Sequence, residues 1–209
     1  MQKFFENTKK RAFTLIELLV VLAVISIITF VLLVQQSKFD SATVMRGLVY
    51  NIALSVRQAQ VYGVSVRESG QGSGTFAQGY GLYFNPGANP QSYVLFADVN
   101  NNGQYDVGEA STTFKISNTF HLSMVCALYY NGGSNPVSDC SNSGNINALT
   151  ILFKRPNPDA SFSTVPAIFG HQDKYTTAYI QVQATNGSTR AIHVYSTGQV
   201  SVDSIGQAI

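Results

Sequence analysis

Charge is scarce in this chain. Charged residues fill 11% of its 209 positions, against about 25% in ordinary globular domains, so uncharged Ser, Thr, Asn, Gln and Gly must cover the surface. That excludes a charge-rich disordered chain, and the even spread of the 45% hydrophobic residues excludes a low-complexity one. No segment recurs at a fixed period, which excludes solenoids and propellers. A basic surface is missing too. Lys3, Lys9, Lys10 and Arg11 crowd the start beside Glu6, and the rest of the chain carries nine basic and ten acidic residues, net −1. Without an electrostatic footprint for phosphates, nucleic acid is not an expected partner. Catalytic motifs are also absent: there is no G-x-S-x-G, no H-E-x-x-H and no phosphate-binding glycine loop. His121, His171 and His193 are scattered, only His171 has an acid nearby (Asp173), and no enzyme is expected.

What is present begins with an abrupt boundary. The polar, basic residues 1–12 give way to FTLIELLVVLAVISIITFVLLV at 13–34. As a helix at ~1.5 Å per residue, this run measures ~33 Å and crosses a ~30 Å hydrocarbon core. Four basic residues before it and Lys38 after it predict a cytoplasmic start and an exported remainder. The far side, VQQSKFDSAT, carries no small-residue cleavage site of the secretory kind. Glu17 interrupts the run. A carboxylate at bilayer depth costs roughly 2.5–3.5 kcal/mol, so it either sits hydrated at the headgroups or pairs with a cation, and a new amino terminus at Phe13 would supply one.

These residues carry a resemblance. KKRA followed by FTLIELLVVLAVISII resembles the signal of type IV pilins and type II secretion pseudopilins. The resemblance implies that a prepilin peptidase cuts between Ala12, where the family usually has Gly, and Phe13. It also implies that Phe13 becomes N-methylated and that Glu17 is the assembly glutamate. Four further segments are similar to the H-type minor pseudopilin and related minor pilins: SVRQAQVYGVSV at 55–66 (with Arg57, Ala59 and Gly63), VLFADVNNNGQYDVGE at 94–109, LTILFKRPNPDASF at 149–162 and AIHVYSTGQVSV at 191–202.

Beyond the run, Val44, Leu48, Ile52, Val56 and Ala59 recur at helical spacing, so the helix continues to about residue 62 with Gly63 as its stop. A bend near Gln35 to Lys38 would let Asp40 or Ser41 cap a restart. Period two then takes over, predicting strands at about 64–68, 80–85, 92–98, 111–116, 120–128, 148–154, 161–165, 175–184, 190–195 and 199–203. Pro86-Gly87 and the stretch 131–136 read as turns, and Asn186-Gly187 is the strongest hairpin signal. The expected class is α+β: a long helix, part membrane-spanning and part amphipathic, packed on an antiparallel domain of two sheets in a sandwich. The expected organisation is a basic leader (1–12), a spanning helix (13–34), an amphipathic extension (35–63) and an exported β-rich domain (64–209).

Two constellations remain. Asp98, Asn100, Asn102, Gly103, Asp106 and Glu109 match D-x-[DN]-x-[DN]-G-x5-E, with the Gln104 carbonyl at position seven. These hard oxygen ligands suit calcium, while the strand-like flanks suit an Asn- and Gly-rich hairpin turn equally well. Cys126 and Cys140 are an even pair in a region expected outside the cytoplasm, so a disulfide is expected. The functional expectation is a minor subunit of a secretion pseudopilus or type IV pilus. It would be single-pass in the inner membrane, with a periplasmic or extracellular domain, other pilin or pseudopilin subunits and a prepilin peptidase as partners, and no required cofactor. The rivals are a DNA-uptake minor pilin, for which Gln199 stands where a basic residue is wanted, and a membrane-anchored binding domain, which leaves Glu17 unexplained.

Overall fold

The computed structural model describes residues 14–65, 67, 68, 74, 76–133 and 135–203, with the backbone alone at 34–41. The chain divides into two compact units, Met1–Thr43 and Val44–Ile209. Helix α1, Leu15–Val64, starts in the first and ends in the second. Its backbone is helical through 35–41, with no restart at Asp40 or Ser41.

In the second unit α1 buries Met45, Val49, Ile52, Val56 and Ala59. This face is shifted from the expected one, since Val44 is exposed and Leu48 half-buried. Positions 45, 49, 52, 56 and 59 follow the 3.6 period more closely than 44, 48 and 52. The opposite side is not cleanly polar, because Tyr50, Leu54 and Val61 stand exposed on it. Gly63, the expected stop, stands one residue before the end of α1 and has a second role. A Cβ there would overlap the Phe153 backbone carbonyl, so Gly63 permits close approach of helix to sheet, and α1 runs one residue further.

Among the described residues ten strands follow: β1 Gly79–Phe84, β2 Ser92–Asp98, β3 Ala110–Lys115, β4 Phe120–Tyr130, β5 Pro136–Cys140, β6 Ala148–Lys154, β7 Ala160–Val165, β8 Tyr175–Ala184, β9 Thr189–Tyr195 and β10 Val200–Val202. They form two five-stranded sheets, β3-β2-β1-β6-β7 and β10-β9-β8-β4-β5, whose strand pairs are antiparallel. One core draws on both sheets and on α1 from Met45 onward, an α+β arrangement compatible with a sandwich. The Ser55 hydroxyl meets the Tyr93 hydroxyl at 3.0 Å, tying helix to sheet inside that core.

Two expectations need correction. Among the described residues no strand is formed at 64–68: α1 occupies Val64, and Glu68 pairs with Phe76 as an isolated bridge. Conversely, β5 is a strand that the sequence reading does not include: it begins at Pro136, the last residue read as turn, because β4 supplies the partner that its short sequence, PVSDC, does not announce.

Candidate functional site

In the first unit the described side chains of α1 from Leu15 to Leu33 form an apolar stretch. From Leu15 to Leu33 every side chain is exposed, and this stretch alone among the described residues is long and apolar enough to cross a membrane. Its two hydroxyls are satisfied internally: Ser26 donates to the Leu22 carbonyl and Thr29 to that of Ile25, each at 2.8 Å. No polar side-chain group between Leu18 and Leu33 therefore seeks water, as a hydrocarbon environment demands.

At its start, the Glu17 N–H donates to Thr14 Oγ1 at 3.3 Å and the Leu18 N–H to the Thr14 carbonyl at 3.2 Å. Thr14 is thus the N-cap, and Thr14-x-x-Glu17 is the pattern of a capping box. The signal is legible in the sequence as a Thr three residues before a Glu at the head of an apolar run. Glu17 lies in the first helical turn, where its charge complements the helix dipole, and its carboxylate has no ion-pair partner among the described residues. The bond proposed for cleavage, Ala12 to Phe13, lies outside the described residues, just before the capped start.

In the second unit, Cys126 and Cys140 sit directly opposite each other on β4 and β5 and are joined, with a Cα separation of 4.1 Å. Loop 98–109 connects β2 to β3. Asp98, fully buried, accepts the Asn102 and Gly103 N–H groups at 3.2 Å each and lies 3.3 Å from Lys154 Nζ. Glu109 accepts from the N–H groups of Val99 (3.0 Å), Asn100 (3.4 Å) and Asp106 (3.1 Å). The amides of Asn100 and Asn102 donate to Asp106 at 2.8 and 2.6 Å, and the Gln104 N–H donates to Asn102 Oδ1 at 2.8 Å. The loop closes on itself. Tyr105 packs on Tyr83 and Phe96 at 4.9 and 5.5 Å between ring centres, and Ser163 on β7 donates to the Gly103 carbonyl at 2.9 Å, so the loop caps part of the first sheet. Among the described residues no three His, Cys, Asp or Glu side chains gather closely enough to hold a metal ion. The pattern's oxygens are brought together as a hydrogen-bonded turn with an ammonium as counter-ion.

His121 and His193 lie on β4 and β9, and only His171 differs from expectation. His171 turns away from Asp173 to Asp139 on β5, 2.9 Å from its Nδ1, while its Nε2 meets the Tyr129 hydroxyl at 3.1 Å. Tyr175 donates to the same Asp139 oxygen at 2.7 Å. Burial, reinforced by that carboxylate, raises the Tyr175 pKa far above its ordinary value. The sequence separation of 32 between Asp139 and His171 hides this pairing from a local reading. An Asp-His-Tyr line invites a catalytic interpretation, but Tyr129 and Tyr175 are both buried and offer no hydroxyl to a substrate. The network pins the β7–β8 loop to the β4–β5 hairpin. His193 likewise pairs with Asp203 at 2.6 Å.

Neither a curated protein nor a solved structure matches the chain. Residues 7–33 match the family model described as the prokaryotic N-terminal methylation motif. The capped apolar helix thus begins within a type IV pilin-like prepilin signal, which supports placing the chain with the pilins and pseudopilins.

Proposed function

We propose that the chain is a minor structural subunit of a type II secretion pseudopilus or a type IV pilus, similar in kind to the H-type minor pseudopilin. The observation that carries this is the methylation motif at 7–33 running into a helix whose apolar surface, Leu15–Leu33, is covered by nothing in the described chain. Surface of this extent needs lipid or other helices around it. The subunit waits in the inner membrane with its start cytoplasmic, a prepilin peptidase removes residues 1–12, and Phe13 is methylated. On assembly the helix exchanges lipid for neighbouring helices, and Glu17 exchanges interfacial water for a neighbour's Phe13 amine. That pair sets register, the best-attested use of a buried polar contact.

The reading requires no cofactor. Calcium on loop 98–109 is a separate proposal supported by the sequence pattern alone, and the ion would compete with Lys154 and with the amide bonds to Asp106. The experiment for the main reading is fractionation of cells producing the tagged full chain. Recovery of a processed chain in sheared filaments with other pilin-type subunits is expected. An unprocessed chain confined to membranes would favour the anchored binding domain instead.

A further inference from the structure

Asp98 at the end of β2 and Lys154 at the end of β6 are both paired with Gly79 of β1, so the three stand in a row on one face of the first sheet. Gly79 leaves the middle of that row empty. A Cβ there would lie 2.9 Å from Lys154 Cγ and 2.8 Å from the Phe153 carbonyl oxygen, so the lysine stem crosses β1 because this position has no side chain. The crossing brings Nζ to 3.3 Å from Oδ2 of the fully buried Asp98, and Nζ also donates to Asn101 Oδ1 at 2.8 Å.

Asn101 is aimed by its backbone. Among the described residues it is the one non-glycine at positive φ, +60°, a conformation that Asn adopts more readily than most side chains and that gathers where geometry serves chemistry. Asn101 is exposed, and its Nδ2 donates to nothing among the described residues. An amine, a carboxamide whose oxygen it already touches and a carboxylate placed to carry protons are the parts of an amide transfer. Asp98 itself is the poorer acyl group, because the Asn102 and Gly103 N–H groups hold its two oxygens as a carboxylate.

We propose that Lys154 and Asn101 join in an intramolecular isopeptide bond, with Asp98 carrying the protons. Asp98 takes a proton from the ammonium, and the freed nitrogen pair attacks Asn101 Cγ, driving the carbonyl pair onto Oδ1. Asp98 hands its proton to Nδ2 and takes a second from Nζ. The carbonyl re-forms, the Cγ–Nδ2 bond breaks, and ammonia departs to solvent with that second proton as ammonium. One Nζ–Cγ bond replaces one Cγ–Nδ2 bond, nothing is oxidised or reduced, and no co-reactant is needed. The fold supplies the proximity that makes such a step fast. The new amide keeps one N–H for Asp98, beside those of Asn102 and Gly103. The bond ties loop 98–109 over β1 to β6, across a sequence separation of 53, and restricts the unfolded chain as a disulfide does.

The test is peptide mapping of the full-length chain purified from membranes, when fresh and again after storage, beside Lys154→Arg and Asn101→Gly. Trypsin cuts an unlinked chain after Lys115 and Lys154. The linked chain should give residues 68–115 joined to 116–174, uncut after Lys154 and lighter by one ammonia than its parts, with fragmentation placing the link between Asn101 and Lys154. Lys154→Arg keeps a cation beside Asp98 and Asn101→Gly keeps the left-handed turn, so both should fold and both should lack the linked peptide. Asp98→Asn should form the link at least about a hundredfold more slowly. Wild-type chain fully cut after Lys154 at both times overturns the proposal. So does an ammonia deficit without a link, which is ring closure at an Asn-Gly bond, and so does a link to Asp98 that has lost water instead. The whole readout lies within residues 68–174, so its failure leaves the filament reading untouched.

Discussion

Ile27 and Ile52 are the same side chain on the same helix, yet one is 66% exposed and the other fully buried. Around Ile52 the chain supplies its own apolar surroundings, from Leu82 and Phe84 on β1 to Val194 on β9. Around Ile27 the described residues supply none. Water charges about 25 cal/mol for each Å² of apolar surface left exposed, so a rod of such side chains is tolerable only in another medium. One region is complete in itself, and the other is unfinished until lipid or neighbouring helices surround it. Two regions with identical chemistry can therefore be told apart by asking what covers each, and substitutions should separate them cleanly.

The sharpest separation is expected at Glu17. Glu17→Val should leave insertion intact or improved, since it removes a charge worth roughly 2.5–3.5 kcal/mol at bilayer depth, yet reduce recovery in sheared filaments to near background. The melting temperature of the second unit should not move. Co-assembly at wild-type levels would break the proposed pairing with Phe13.

Next in size is a contrast within α1 itself. Ile52→Ala should cost about 2–5 kcal/mol through lost burial and the cavity left behind, whereas Leu54→Ala, two residues on and exposed, should stay within about 0.5 kcal/mol. Chemical denaturation of the full chain in detergent distinguishes them. Equal losses would mean that the buried face is drawn wrongly.

How well the sequence anticipated these two regions depends on how local the determining forces are. The bounds of β2, β6 and β8 were legible to the residue, since runs such as SYVLFAD and ALTILFK lie between turn residues. The apolar run from Phe13 was equally plain. What escaped was set by distant partners. β5 exists because β4 pairs with it, and His171 meets Asp139 because the β7–β8 loop comes against β5. Gly63 stands one residue before the helix end, and its second role, making room for Phe153 ninety residues on, is invisible to a local reading. In loop 98–109 the motif places the oxygens, whereas the Lys154 ammonium beside Asp98 comes from a strand far along the chain and is not part of any local pattern.

The disulfide comes next. Replacing Cys126 and Cys140 by Ala should destabilise the second unit by about 3 kcal/mol, as expected for a loop of about 15 residues, and leave membrane insertion untouched. Peptide mapping without reductant should find the two cysteines linked in freshly isolated protein, and free thiols there would contradict the export argument.

The smallest effect concerns calcium. Binding to the folded state alone stabilises by about 2.7 kcal/mol at one hundred times Kd, and extracellular sites bind at roughly 10⁻⁴ to 10⁻³ M, so a millimolar supply should give less than that. A rise in melting temperature over chelator in wild type, absent in Asp106→Ala, would make the loop a calcium site. Equal melting in all four samples would leave it a self-capped turn neutralised by Lys154.

All of these contrasts presuppose that the unfinished region is a processed pilin-type helix. Mass spectrometry of the amino terminus, on full-length chain recovered from cells with an active prepilin peptidase, tests that directly. The account predicts a chain that starts at Phe13 and carries a methylated amine. A chain still starting at Met1, with residues 1–12 attached, would contradict it.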